Sequence, residues 1–306
     1  MIFRKKGVLT TLQDTKRVGY AVDGVFPSGP MDEFSAQLAN VLVGNSPEEA
    51  CLEIHFPGPT LEMEEEGIYV LTGADFAAQC GGRLLSIGQV FYTKPGDILT
   101  FTQKRTGMRT YLARAGGFGQ SKWLNSSCLP PFSLPQIQPN VSWILPENKT
   151  FILPKKSVNP FHLSFMYRDT VRFVPRPDFL EDTAIQGKLK GKIQPNSSRM
   201  GMYIQPENLA LFGRRNEQLS GPVVQGSMQL LPSGNWVVLM ADHQTTGGYP
   251  VLGEVISADL PILAQAEMGS EICFEPVGWE EAVEVRRKQA TFLQKIKVGI
   301  DPTFSF

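Results

Sequence analysis

Between Gly67 and Gly117 the chain is cut into short runs by glycine and proline: "GIYVLTG", "GQVFYT", "GDILTF" and "GMRTYLARAGG". Each run is rich in β-branched and aromatic residues and ends at a turn signal, which is the pattern of strands. Cys80-Gly81-Gly82-Arg83 and Lys94-Pro95-Gly96-Asp97 supply turns between them. The 29 glycines and 23 prolines carry this punctuation over all 306 residues. Strands at such spacing close as a barrel or pack as a sandwich, so the expected class is mostly β with a few helices. Three segments read as helices. Asp32 can cap "EFSAQLANVLVGN", in which Phe34, Leu38, Val41 and Leu42 share a face and Gly44-Asn45 gives a stop. A second helix starts near Asp259 with Pro261 in its first turn. The third, Trp279 to Ile296, has acids in its first turn and bases further on, as the helix dipole favours.

Bulk properties narrow the function. The length allows two domains or one large β domain, and 42% apolar residues suffice for a packed core. The 29 basic and 30 acidic residues nearly cancel, which speaks against a nucleic-acid binder. The start "MIFRKKGVLTTLQD" has bases without an apolar stretch behind them, and no run approaches a membrane span. Cys51, Cys80, Cys128 and Cys273 are scattered without a CxxC pair, so buried reduced thiols in a cytoplasmic protein are expected, with no metal site. No P-loop, GxGxxG, GxSxG or HExxH motif is present, and no Met-Lys-Met biotin attachment sequence.

Residues 129 to 160, "LPPFSLPQIQPNVSWILPENKTFILPKKSVNP" with Leu129 at its head, are proline-rich and aperiodic. They read as a linker or surface crossing between an N-terminal β-barrel-like domain, 1–128, and a C-terminal barrel domain with a terminal helix, 161–306. The halves echo each other faintly: "LTGAD" before "KPGDILTF", and "LMADH" before "EMGSEICF".

Four stretches place a carboxylate beside glycine after an extended run: "TTLQDTKRVGY" from Thr10, "PSGPMD" from Pro27, "LTGADF" from Leu71, and "MADHQTTGGYP" from Met240. Glycine lets a backbone approach a ligand and leaves amide groups available, and a carboxylate can orient or deprotonate an amide nitrogen. Each has a structural alternative. Asp32 can be a helix cap, Asp14, Asp75 and Asp242 turn formers, and His243 a structural histidine.

In this order the four stretches resemble the biotin-dependent carboxyltransferase family, whose members include KipA-like proteins. The segment "TT-Q-D---GY" is seen at Thr10-Thr11, Gln13-Asp14 and Gly19-Tyr20. "SG-MD--A---AN-LVGN---A--LE" is matched by Ser28-Gly29, Met31-Asp32, Ala36, Ala39-Asn40, Leu42 to Asn45, Ala50 and Leu52-Glu53. "LTGAD" and "YLA-AGG" follow at Leu71 to Asp75 and Tyr111 to Gly117. The second half carries Arg199-Met200-Gly201, then "D-QT-GGYP" at Asp242 to Pro250, then "I-ADL--LAQ---G" from Ile256 to Gly269. A longer segment that usually follows "AGG" is reduced here to Leu124–Cys128.

The resemblance implies two cyclophilin-like β-barrel domains. It implies a subunit of a cytoplasmic, ATP-dependent complex that converts 5-oxoproline to glutamate. A KipI-like, B-type subunit and an A-type subunit are the implied partners, with no nucleic acid or membrane. ATP is used by the complex and no cofactor is held by this chain; the part of biotin is left open, as is the choice between lactam phosphorylation and carboxyl transfer. By this resemblance Asp242, Gln244 and Asp75 are the catalytic candidates. Thr245, Gly247, Gly248, Tyr249, Gln13, Asp14, Ser28 and Arg199 are the substrate-binding candidates. Two other functions stay open: a KipA-like module that sequesters a KipI-like histidine-kinase inhibitor, and a urea-directed enzyme.

Overall fold

The glycine and proline punctuation delimits strands where it was expected to. A computed structural model describes residues 1–119, 122–128, 139–140, 142–146, 167–177, 187–207 and 219–300. The chain divides into two compact units, one of residues 1–16, 32–164 and 290–306, the other of 17–31 and 165–289.

Ten strands are seen among the described residues of the first unit: β1 (Ile2–Lys5), β2 (Thr10–Gln13), β3 (Cys51–His55), β4 (Thr60–Glu62), β5 (Gly67–Asp75), β6 (Ala78–Cys80), β7 (Arg83–Leu84), β8 (Val90–Thr93), β9 (Ile98–Phe101) and β10 (Thr106–Arg114). They pair as two five-stranded sheets, ordered β1-β4-β9-β6-β7 and β2-β3-β10-β5-β8. The barrel expected for this half is thus a pair of sheets around a core of Phe3, Leu52, Ile54, Leu61, Tyr69, Leu71, Leu99, Leu112 and Phe118. Helix α1 (Glu33–Leu42) packs on β10 and β5 with Phe34, Leu38, Val41 and Leu42 buried. Asp32 caps it, accepting from Ser35 N at 2.8 Å and from the Ser35 hydroxyl at 2.6 Å.

Much of the motif in this half is scaffold. The Asn45 amide donates to Arg114 O at 2.8 Å and accepts from Gly116 N at 2.9 Å, locking the end of β10 to the turn after α1. Glu53, fully buried, accepts from the Tyr111 hydroxyl at 2.8 Å, and that same hydroxyl oxygen accepts from Asp32 N. Part of the stretch read as a linker belongs to this unit. Asn140 N donates to Phe3 O at 2.7 Å and Trp143 N to Met1 O at 2.8 Å, with the Trp143 ring 4.9 Å from that of Phe3. Apolar area on Trp143 and Leu145 draws the segment onto the core despite its prolines. Residues 129–138, 141 and 147–160 lie outside the described residues.

The second unit holds β11 (Thr170–Pro175), β12 (Leu189–Ile193), β13 (Gly201–Pro206), β14 (Gly221–Pro222), β15 (Ser227–Leu230), β16 (Trp236–Leu239), β17 (Thr246–Gly247), β18 (Val251–Val255) and β19 (Glu271–Pro276). Seven close a barrel, β11-β18-β15-β16-β13-β12-β19, in which β19 returns parallel to β11. Its core includes Phe173, Ile204, Met228, Trp236, Val238 and Phe274. Strands β14 and β17 form a separate two-stranded ribbon. Helix α2 (Leu260–Gln265) begins where expected, with Pro261 in its first turn. Asp259 does not cap it through its side chain; its carboxylate accepts from Arg172 N, Nε and Nη2 at 2.7–2.8 Å, tying the helix start to β11.

Cuts at 128 and 161 therefore do not match the units. Residues 17–31 cluster with the barrel because Met31 enters its core and Gly29 bonds within it. Helix α3 runs Trp279–Ile300, four residues beyond the expected end; residues from Ala290 cluster with the first unit, where Phe292 meets Phe34 at 5.9 Å. No described helix is long and apolar enough to cross a membrane.

Candidate functional site

Strand β16 is an apolar run that ends at Leu239, and Met240 and Ala241 after it still belong to the barrel core. Asp242 N donates to Arg199 O at 2.9 Å, so the loop before β13 continues the β13–β16 pairing past its end. The side chains repeat that link. Arg199 Nε donates to Asp242 Oδ2 at 2.7 Å and Nη2 to Oδ1 at 3.0 Å, a fork-to-carboxylate pair with both side chains largely buried. Arg199 Nη2 also donates to Gly29 O at 2.7 Å. One guanidinium thus joins the loop after β16 to the "PSGP" turn.

That turn is strained at its serine. Ser28 has φ 54, in the left-handed region that a residue with a Cβ rarely adopts, and the Gly29 that follows has φ 96. Ser28 is 1% exposed and its hydroxyl has no partner among the described residues. A strained backbone and an unmade buried hydrogen bond in one residue make Ser28 a candidate for a functional group held by its surroundings.

Beyond Asp242, His243 is buried and its Nδ1 lies 2.5 Å from Gln244 O, so Nδ1 carries the proton and donates. The Gln244 side chain, half-buried, donates from Nε2 to Gln229 Oε1 at 3.2 Å. Thr245 O accepts from Val223 N at 3.1 Å, and Gly247 pairs with Gly221 in the ribbon. Gly248 and half-buried Tyr249 lead back to the wall, where Pro250 O accepts from Leu230 N at 2.8 Å. Of the expected site residues, Ser28, Arg199, Asp242, Gln244, Thr245, Gly247, Gly248 and Tyr249 fall in this unit.

Gln13, Asp14 and Asp75 fall in the first unit. Gln13 donates to Thr11 Oγ1 at 2.9 Å, and its buried Oε1 has no partner among the described residues. Asp14 accepts from the Ser126 hydroxyl at 2.5 Å and from Ser127 N at 2.6 Å, and the Cys128 thiol stands 3.2 Å from it. Burial, then the charge of Asp14, pushes the Cys128 thiol from 9.0 up to about 12. Asp75, at the end of β5, accepts from Ala77 N at 2.8 Å and faces Arg105 at 3.4 Å, the geometry of a turn former. Sequence reasoning passed over Gln229, because one glutamine inside a strand reads as a solvent-facing residue.

A family model described as the carboxyltransferase domain, subdomain A and B, matches residues 23–276. The C subunit of 5-oxoprolinase from Haemophilus influenzae is 31% identical, with 95% of this chain and 96% of that protein covered. Its counterpart of the same name from Escherichia coli is likewise 31% identical, with the same shares covered. The solved structure of K. lactis urea amidolyase has a TM-score of 0.79 at 21% identity, covering 96% of this chain and 20% of that chain, a likeness of fold. The chain spans a fifth to about half of the solved chains it matches.

Proposed function

Because the chain belongs to the family of the carboxyltransferase domain, subdomain A and B, we propose that it is the C subunit of a 5-oxoprolinase. In this reading a cytoplasmic complex with a KipI-like, B-type subunit and an A-type subunit uses ATP to open 5-oxo-L-proline to L-glutamate. This chain binds and orients the lactam; ATP is used by the complex. The relatives' names favour the enzyme subunit over the sequestering module.

The observation that carries the reading is the strained Ser28, with its buried unpartnered hydroxyl, clamped through Gly29 by Arg199 and Asp242. A hydroxyl can donate, so it suits an amide, which presents a C=O to be bound. Since Arg199 takes both oxygens of Asp242, the carboxylate acts here as a positioning group that fixes the guanidinium and the turn. Phosphorylation of the lactam oxygen and carboxylation of its nitrogen both begin from such a held amide, and in both water finally adds to the carbonyl carbon as the ring C–N bond breaks, giving a carboxylate and a free amine with release of phosphate or of the added carboxyl group as carbon dioxide.

The test is ATP-dependent glutamate formation by the reconstituted three-chain complex. Asp242→Asn and Gln244→Ala are each expected to lower it at least about tenfold, the size of a lost orienting hydrogen bond. Asp242→Asn also breaks a buried pair and costs about 1–3 kcal/mol of stability, so the melting temperature is measured beside it. Full activity in both variants would refute the assignment of this loop.

A further inference from the structure

Gln229 lies on a wall strand of the closed barrel, yet its side chain does not join the barrel core. Met228 and Leu230 belong to that core with Trp236 and Val238. Alternation along β15 turns Gln229 to the outer face, where Val237 and Leu239 pack with Val223. The register of β15 on β18 shifts between Met228 and Gln229, an irregularity of the kind that re-aims a side chain. The ribbon of β14 and β17 covers this face. Gln229 is 1% exposed, and a Cβ placed on Gly247 would stand 2.3 Å from its Nε2. Its Oε1 accepts from Gln244 Nε2 at 3.2 Å, while its own Nε2 is buried with no partner among the described residues. Of the two bonds that the carboxamides of Gln229 and Gln244 could exchange edge to edge, only the one into Oε1 is made.

A carboxamide shows a donor N–H and an acceptor C=O along one edge. A small lactam is held cis by its ring and shows the matching pair along its own edge, whereas an open-chain secondary amide is trans and does not. We propose that Gln229 is a substrate-binding residue that reads this cis-amide edge. Nε2 donates to the ring carbonyl, and Oε1 accepts the ring N–H in the place that Gln244 Nε2 holds. Access requires the ribbon to open; among the described residues it is joined by two residue pairs, Gly221 with Gly247 and Pro222 with Thr246, and by the bond from Val223 N to Thr245 O. A buried donor without an acceptor is costly, so a ligand that supplies the acceptor is favoured at this point. The proposal rests on the 5-oxoprolinase reading for its substrate and on the geometry alone for its amide class.

The experiment uses the full chain, alone and in the reconstituted complex, with Gln229→Met and Gln229→Glu and with melting temperature as the folding control. In the complex both variants are expected to raise KM for 5-oxoproline about tenfold or more, with kcat within about threefold. In the chain labelled with 15N at glutamine side chains, the resonance lost in both variants is that of Gln229 Nε2. It is expected to move on titration with 5-oxoproline or 2-pyrrolidinone and to stay still with N-acetylglycine, a trans secondary amide. Wild-type KM in both variants, or a resonance unmoved by either lactam, overturns the proposal. Should Gln229→Met fail to fold, Gln229→Glu and the titration decide. Should the wild-type complex open no lactam, the 5-oxoprolinase reading falls, and the 2-pyrrolidinone titration still decides the role of Gln229.

Discussion

Ser28 and Gly247 show how single residues set the candidate site. A left-handed serine costs about 1–2 kcal/mol, and glycine at the same place gives up about 0.5–1 kcal/mol to unfolded-chain freedom. Ser28→Gly is therefore nearly neutral for stability, and the expected shift in melting temperature is within about 3 °C. Its effect on glutamate formation by the complex is expected to be at least about tenfold, because the buried hydroxyl is gone. A large drop in melting temperature with normal activity would make Ser28 scaffold. At Gly247 the limit is space. Alanine there would drive a methyl into Gln229 Nε2, so either the ribbon or the glutamine must shift. Gly247→Ala is expected to lose about 1–3 kcal/mol of stability, read by denaturant unfolding, together with activity. Unchanged stability would mean that the ribbon yields freely.

At the scale of elements, the loop after β10 is held to β2 by one carboxylate. Leu124 and Asn125, with φ 48 and 63, turn the chain between Trp123 and Ser126, which exchange backbone hydrogen bonds. Asp14 then takes Ser126 and Ser127, and Cys128 is buried beside it. The thiol is neutral in the fold up to about 12 and ionises near 9.0 in the unfolded chain. Its contribution to stability is whole below the lower value and is lost as pH rises toward the upper one. Thermal stability of the wild type is thus expected to fall across that window, and Cys128→Ala to flatten the slope. Equal slopes would show that the thiol is not buried as described. Asp14→Ala is expected to cost about 1–3 kcal/mol through the two donors it abandons.

For the whole molecule, the family match spans both units, from residue 23 to residue 276. The chain carries no nucleotide motif in its sequence. Under the proposed reading it works only as one of several subunits. The chain alone is expected to yield no glutamate from 5-oxoproline and ATP, and to recover activity when the B-type and A-type subunits are added. Release of glutamate by the chain alone at the rate of the full complex would overturn that division of labour. The measurement is glutamate formed per chain, with and without the added subunits.

Short-range physics was legible in the residues themselves. Strand runs between glycine and proline turns, the Asp32 cap three residues before Ser35, and Pro261 at the start of α2 all depend on neighbours within a turn or two. The order of polar motifs was equally legible and pointed to the family. What each polar group does depended on partners far along the chain. Asp14 meets Ser126 across 112 positions, Arg199 meets Asp242 across 43, and the same arginine meets Gly29 across 170. No local pattern encodes such pairings, because closing the barrel and sheets is what brings the groups within hydrogen-bond range. The fold thereby spent Asp14, Asp32 and Glu53 on scaffold, left the Ser28 hydroxyl and Gln229 Nε2 without a partner among the described residues, and so separated groups that hold the structure from groups with a hydrogen bond still to make.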